Sequence, residues 1–215
     1  MSAEEALEEV AAEVRVCTKC DLCLNTKNGV PGEGSPHAEV LFIGEAPGFN
    51  EDRQGRPFVG PAGHFLNELL GAVGLDRSTV FITNVVKHRP PENRDPLPDE
   101  IAACSDYLTR QIAALNPKVI VTLGRFSMAR FFPGAKISSI HGQAKKIDGR
   151  VVVAMYHPAA ALHQQSLKQT VIDDFKRAIP PALAEARRLE AEGKLGNKSE
   201  KGDDEGEPPK QLSLF

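Results

Sequence analysis

The sequence predicts an α/β fold: a central four-stranded, mainly parallel sheet with helices on both faces. Three observations predict it. Short, nearly continuous apolar runs recur at Glu39–Gly44, Thr79–Val86, Lys118–Gly124 and Arg150–Tyr156, as expected for strands buried on both faces. Helical patterning fills the intervals at about Pro61–Gly74, Pro98–Asn116 and Arg125–Phe132, and again at about Gln164–Glu192. Alternating β and α units of this kind build a sheet sandwiched between helices.

The remaining segments follow in order. Residues 3–15 have the composition of an acidic amphipathic helix, the cysteine-rich stretch Cys17–Cys23 comes directly after, and Asn28–His37 is turn-rich. From Gly196 the composition shifts to Lys, Glu, Asp, Gly and Pro without periodicity, which predicts a disordered tail. Residues 1–195 are thus expected to form one domain and 196–215 a tail, and no internal repeat is visible. The N-terminus is acidic, with no basic region leading into an apolar run, and no apolar stretch reaches membrane-spanning length. A cytoplasmic, nucleoid-associated monomer with no membrane partner is the expectation.

The net charge of −3 disguises an uneven distribution. Of 26 basic and 29 acidic residues, 7 and 13 lie in residues 1–16 and 185–215, leaving 19 and 16 between them. The central part is therefore slightly basic. That permits contact with phosphate without arguing for it.

In folds of this class ligands bind in a crevice at the carboxyl ends of the strands. There the sequence places Gly44-Glu45-Ala46-Pro47-Gly48, a glycine-bracketed turn offering backbone N–H groups and one carboxylate. Asn84 and His157 end two other strands, where an amide and an imidazole can read the edge of a flat heterocycle. A plain βα turn, a capping Asn and a satisfied loop His are the alternatives for each taken singly.

Four segments in order carry a resemblance: Gly44–Gly48; Arg56-Pro57-Phe58-Val59-Gly60-Pro61-Ala62-Gly63; Thr83-Asn84-Val85-Val86-Lys87 with Arg89-Pro90-Pro91-Glu92-Asn93-Arg94; and His157-Pro158-Ala159-Ala160-Ala161-Leu162. Over about residues 17–180 the chain resembles the iron-sulfur uracil-DNA glycosylases, family 4 of the uracil-DNA glycosylase superfamily. The resemblance implies a uracil-DNA glycosylase-like sheet and a hydrolytic enzyme of base excision repair that flips uracil out of DNA. It makes Phe58 the ring that stacks on uracil, Asn84 the reader of its O4/N3 edge, and His157 the donor to O2, where charge develops. Glu45 would position water and stabilise the cationic sugar, with Gly44 and Ala46 in the same turn lining the uracil site. Glu51 would stand near uracil C5 and hinder a thymine methyl, a solvated loop acid being the alternative. The Pro158–His163 loop would enter the duplex with Leu162 as wedge. Lys87, Arg89, Arg94, Arg125, Ser127 and His163 are the candidate DNA-backbone contacts.

The four cysteines are Cys17, Cys20, Cys23 and Cys104. Their spacing alone suggests a four-thiolate [4Fe–4S] site, with zinc as the rival. The resemblance implies a different set for the [4Fe–4S] cluster: Cys17, Cys20, His88 and Cys104, with Cys23 as alternative fourth ligand. His88 in Val86-Lys87-His88 also resembles the uracil glycosylases that trap their product covalently. That group carries Gln in the first turn and an inserted basic loop, where this chain has Glu45-Ala46 and only Pro90–Pro98. A non-catalytic iron-sulfur DNA-binding module is a further alternative. Last, Gln211-Leu212-Ser213-Leu214-Phe215 resembles the peptide by which bacterial repair proteins dock on the sliding clamp, with Gln211, Leu212, Leu214 and Phe215 as the contacts.

Overall fold

Alternate residues of each predicted strand belong to different apolar layers, which is why the runs read as continuous. The computed structural model describes residues 1–195, in which β2 (Val40–Gly44) sends Val40 and Phe42 to one layer and Leu41 and Ile43 to the other. The same division holds in β4 (Val119–Leu123) and β6 (Arg150–Met155). One layer is closed by α3 (Pro61–Ala72) and the long α8 (Ser166–Ala191), where Phe175 stacks on Phe42 at 6.3 Å. The other is closed largely by α4 (Pro98–Leu115), whose Cys104 and Leu108 pack beneath Leu41 and Ile43.

The sheet has six strands in the order β1-β3-β2-β4-β6-β5. Its four central strands, counting β3 (Phe81–Asn84), are the predicted ones and run parallel. The four-strand expectation is corrected at the edges, where β1 (Glu33–Gly34) and β5 (Gln143–Ile147) pair antiparallel. One is too short and the other too half-exposed to show a buried apolar run.

Helix α1 (Ala3–Arg15) begins with a reciprocal cap in which Glu5 N–H donates to Ser2 Oγ and Ser2 N–H donates to Glu5 Oε2. It is pinned to α4 by Arg110, which donates to Glu9 and Glu13. Three short helices leave no clear pattern in the sequence: α2 (Phe49–Gln54), α6 (Ile137–Ile140) and α7 (Pro158–His163). The first and last lie beside the crevice, and the segment expected as the Pro158–His163 loop is therefore helical. The short α5 (Arg125–Ala129) follows β4. No helix among the described residues is long and apolar enough to cross a membrane. The tail expected at 196–215, with the Gln211–Phe215 peptide, lies outside the described residues.

Candidate active site

Strand β2 has β3 on one side and β4 on the other, so successive connections lead to opposite sides of its carboxyl end. Such a switch point opens a crevice. Register pairs Gly44 with Asn84 and Leu123 with Met155, which brings the turns after the central strands to one level. A cavity of about 510 Å³ opens there, lined by Glu45, Ala46, Glu51, Phe58, Asn84 and His157 among others. Residues from well-separated segments thus meet in one place.

Asn84 is 1% exposed, and neither its Nδ2 nor its Oδ1 has a hydrogen-bond partner among the described residues. A buried amide left so is costly unless something arrives to pair with it. Its position depends on Gly44, because a Cβ there would stand 2.3 Å from Asn84 Oδ1 and 2.6 Å from Phe58 Cζ. Phe58 itself holds φ at +51°, a conformation that costs a non-glycine residue on the order of 1 kcal/mol. Neighbours offset that strain: Gly63 has no Cβ to strike the Phe58 carbonyl, and Arg77 Nη1 donates to that carbonyl at 2.9 Å.

Phe58 and His157 lie face to face, with ring centroids 5.6 Å apart. His157 Nδ1 accepts the Ala159 N–H at 3.2 Å, so the imidazole is neutral with its proton on Nε2. Burial drives its pKa down to about 4, against the opposing pull of the Glu51 charge. The ring remains a neutral donor.

Glu45 shares the cavity. Burial holds its carboxyl above the usual range; Asp95 adds to the effect and Arg125 opposes it. Glu51 is not the solvated acid of the alternative reading. Its Oε1 accepts the N–H groups of Val59 and Gly60 at 2.8 Å each, and its Oε2 that of Gly48 at 3.2 Å. This staple fixes the turn that carries Phe58.

The candidate DNA contacts divide. Lys87 is corrected: it is fully buried, and its Nζ donates to Thr83 Oγ1, the Asn84 carbonyl and Gln111 Oε1, all at 2.8 Å. Ser127 is likewise 1% exposed, its hydroxyl directed at the Gly124 carbonyl. Neither faces a surface. Arg94 lines the cavity but is paired with Glu100 at 2.7 Å, and Arg125 is paired with Asp95. Arg89 donates to Asn93 Oδ1 at 2.7 Å. Leu162 and His163 are exposed on α7, Leu162 by 45%.

The cysteines gather between α1, α4 and the segment after β3. Cys17, Cys23 and His88 line one cleft of about 430 Å³, and Cys20 and Cys104 pack in the adjoining apolar layer. Cys17 Sγ accepts the Lys19 N–H at 3.5 Å, while the amides of Leu22 and Lys87 reach the sulfurs of Cys20 and Cys104. Burial pushes both latter thiols up. Among the described residues no three His, Cys, Asp or Glu side chains converge tightly enough for a single metal ion.

Two contributors carry no mark in the sequence. Asp95 bears on Glu45, and Arg77 supports Phe58 from 19 residues away. Neither leaves a local signal, although Arg77 follows a helix that packs on the Phe58 turn.

The family model described as the uracil DNA glycosylase superfamily matches residues 31–179. Over 195 residues the chain is 47% identical to a type-4 uracil-DNA glycosylase of Sulfurisphaera tokodaii, covering 85% of this chain and 88% of that one. It is 46% identical to one from Archaeoglobus fulgidus, with 80% and 92% covered. A third, from Thermotoga maritima, is 44% identical, with 81% and 94% covered.

Proposed function

The chain belongs to the uracil DNA glycosylase superfamily and is a uracil-DNA glycosylase of DNA repair, and on that premise we propose how its residues divide the work. The observation that carries the assignment is the orphaned amide of Asn84. Uracil supplies what it lacks: N3–H donates to Oδ1 and O4 accepts from Nδ2. Cytosine presents the opposite pattern, so the amide refuses it as long as Oδ1 stays toward N3 and Nδ2 toward O4. Phe58 stacks on the extruded base.

Cleavage of the bond between N1 and C1′ leaves the electron pair on uracil and a cationic sugar. His157 donates through Nε2–H to O2, where that charge collects, and so stabilises the transition state more than the substrate. Glu45 orients a water whose oxygen bonds to C1′; the proton released from that water passes to the carboxylate, whose raised pKa suits acceptance. Leu162 on α7 enters the space that the base vacates.

We further propose a [4Fe–4S] cluster held by Cys17, Cys20, His88 and Cys104. In support, the three sulfurs each meet a backbone N–H, the kind of contact that tunes cluster thiolates, and His88 opens on the same cleft as Cys17, as does Cys23, the alternative fourth ligand. When bound, such a cluster supplies a rigid cross-link among the N-terminal segment, the loop after β3 and α4. The pentapeptide at 211–215 is proposed to dock on the sliding clamp, and the protein to act as a cytoplasmic, nucleoid-associated monomer.

The test is incubation with single- and double-stranded uracil-DNA, followed by alkali. Strand scission at the uracil position with no adduct on a denaturing gel is expected. A protein–DNA adduct would instead identify covalent trapping, and absence of scission a non-catalytic binder.

A further inference from the structure

Phe49 is 52% exposed, although it is the first residue of α2 and follows Gly48, which lines the uracil cavity. Two guanidiniums lean on its ring. Arg53, one turn along α2, lies 5.5 Å from the ring centroid, and Arg89, from the loop after β3, lies 5.3 Å from it. Arg89 is steadied by Asn93, another residue of the cavity wall. Elsewhere on this rim Arg94 and Arg125 are engaged by Glu100 and Asp95. At Phe49 two like charges instead share an aromatic ring half open to water, an arrangement that favours the approach of an anion carrying a flat apolar face.

We propose that Phe49, Arg53 and Arg89 form a second subsite, which takes the unpaired nucleotide adjoining the uracil in the same strand. The inference rests on the glycosylase reading. The base stacks on the Phe49 ring and the phosphate between the nucleotides meets the guanidiniums. The position follows from the chain of the substrate itself: with uracil in the cavity, the neighbouring nucleotide must leave across the rim, and this rim holds the exposed ring. Stacking on an aromatic platform tolerates any base, so the subsite adds affinity without sequence preference. Extension of the bound strand over Phe49 requires its base to be unpaired, which favours single-stranded substrate.

The experiment compares the full-length wild-type protein with Phe49→Ala and Phe49→Trp on single-stranded oligonucleotides containing one uracil. Two further oligonucleotides carry a tetrahydrofuran abasic analogue, which alkali does not cleave, immediately 5′ or 3′ of it. Cleavage kinetics are paired with binding of matched strands carrying 2′-fluoro-deoxyuridine, whose glycosidic bond resists hydrolysis. Phe49→Ala is expected to weaken binding and raise KM at least about fivefold, the low end of what one stacked base contributes, with kcat little changed. Phe49→Trp restores both. With one of the two base-less strands the wild type falls to the level of Phe49→Ala, and the variant declines no further. Equal binding by wild type and Phe49→Ala overturns the proposal, as does an undiminished deficit on both base-less strands. Because the fluorinated strand reports binding alone, this pattern without uracil release would count against the glycosylase reading and leave the subsite standing.

Discussion

His157 Nδ1 accepts the amide N–H of Ala159 at 3.2 Å, and that one bond leaves the imidazole proton on Nε2, facing the site where uracil O2 is proposed to lie. The folded pKa of about 4 lies below the ordinary value of 6.5. As pH falls, the unfolded chain therefore takes up this proton first. The stabilisation is full above about pH 6.5, declines on the way down, and is gone once the pH passes about 4. Nitrogen NMR should find the Nε2–H tautomer unchanged at pH 6. Unfolding by denaturant should show a loss of stability between pH 6.5 and 4 that His157→Gln reduces. Titration of His157 near 6.5 would contradict this.

Asn84→Ala removes a buried amide whose polar atoms have no partner among the described residues. The substitution should leave the uracil-free protein as stable as before, or more stable by about 1 kcal/mol. Excision should nevertheless fall at least about 100-fold, because two hydrogen bonds to a desolvated base disappear. Thermal unfolding and kcat/KM, measured on the same samples, separate the two effects.

Glu51 joins Gly48 to the Val59–Gly60 turn through three backbone N–H groups. Glu51→Ala should cost about 1–3 kcal/mol of stability, since three partly buried amides lose a charged acceptor. The Phe58 turn would loosen with it, raising KM for uracil-DNA. Glu51→Gln keeps one accepting oxygen and should lie between the two.

Lys87 and Arg89 are two residues apart, but only the substitution of Arg89 should change the salt dependence of binding. Arg89→Ala should reduce the slope of log affinity against log salt concentration by about 0.7 on single-stranded DNA, the change expected when one phosphate is no longer neutralised. Lys87→Met should leave the slope unchanged and lower stability by about 1–3 kcal/mol, because its ammonium holds Thr83, Asn84 and Gln111 together inside the protein. A changed slope in Lys87→Met would mean that the side chain reaches DNA after all.

Cys17→Ser, Cys20→Ser and Cys104→Ser should each lose visible iron-sulfur absorption, whereas Cys23→Ser and His88→Cys should keep it. Loss of absorption in Cys23→Ser, with retention in His88→Ala, would transfer the fourth ligand to Cys23.

The central sheet was legible in the sequence because both faces of β2, β4 and β6 are covered, so nearly every position in those runs is apolar or small. The edge strands were not: Glu33–Gly34 carries no apolar pattern, and the half-exposed β5 contains Lys145 and Lys146. Position along the chain also placed Glu45, Asn84 and His157 correctly at strand ends, since parallel strands bring their following turns to one edge.

What the sequence determined by itself was therefore the strand cores and the turns after them, which carry Glu45, Asn84 and His157. Which charged residues remain free for solvent was decided only by the tertiary structure. Lys87 is enclosed by Gln111 from a helix 24 residues on, Arg125 is taken by Asp95 from a different loop, and Phe58 is held in its conformation by Arg77. A residue's burial and its ion-pair partner depend on groups remote in sequence, so local pattern carries no trace of them. For the same reason Phe49, an ordinary apolar residue in the sequence, became visible as an exposed ring beside the cavity only once α2 and the loop carrying Arg89 were brought together.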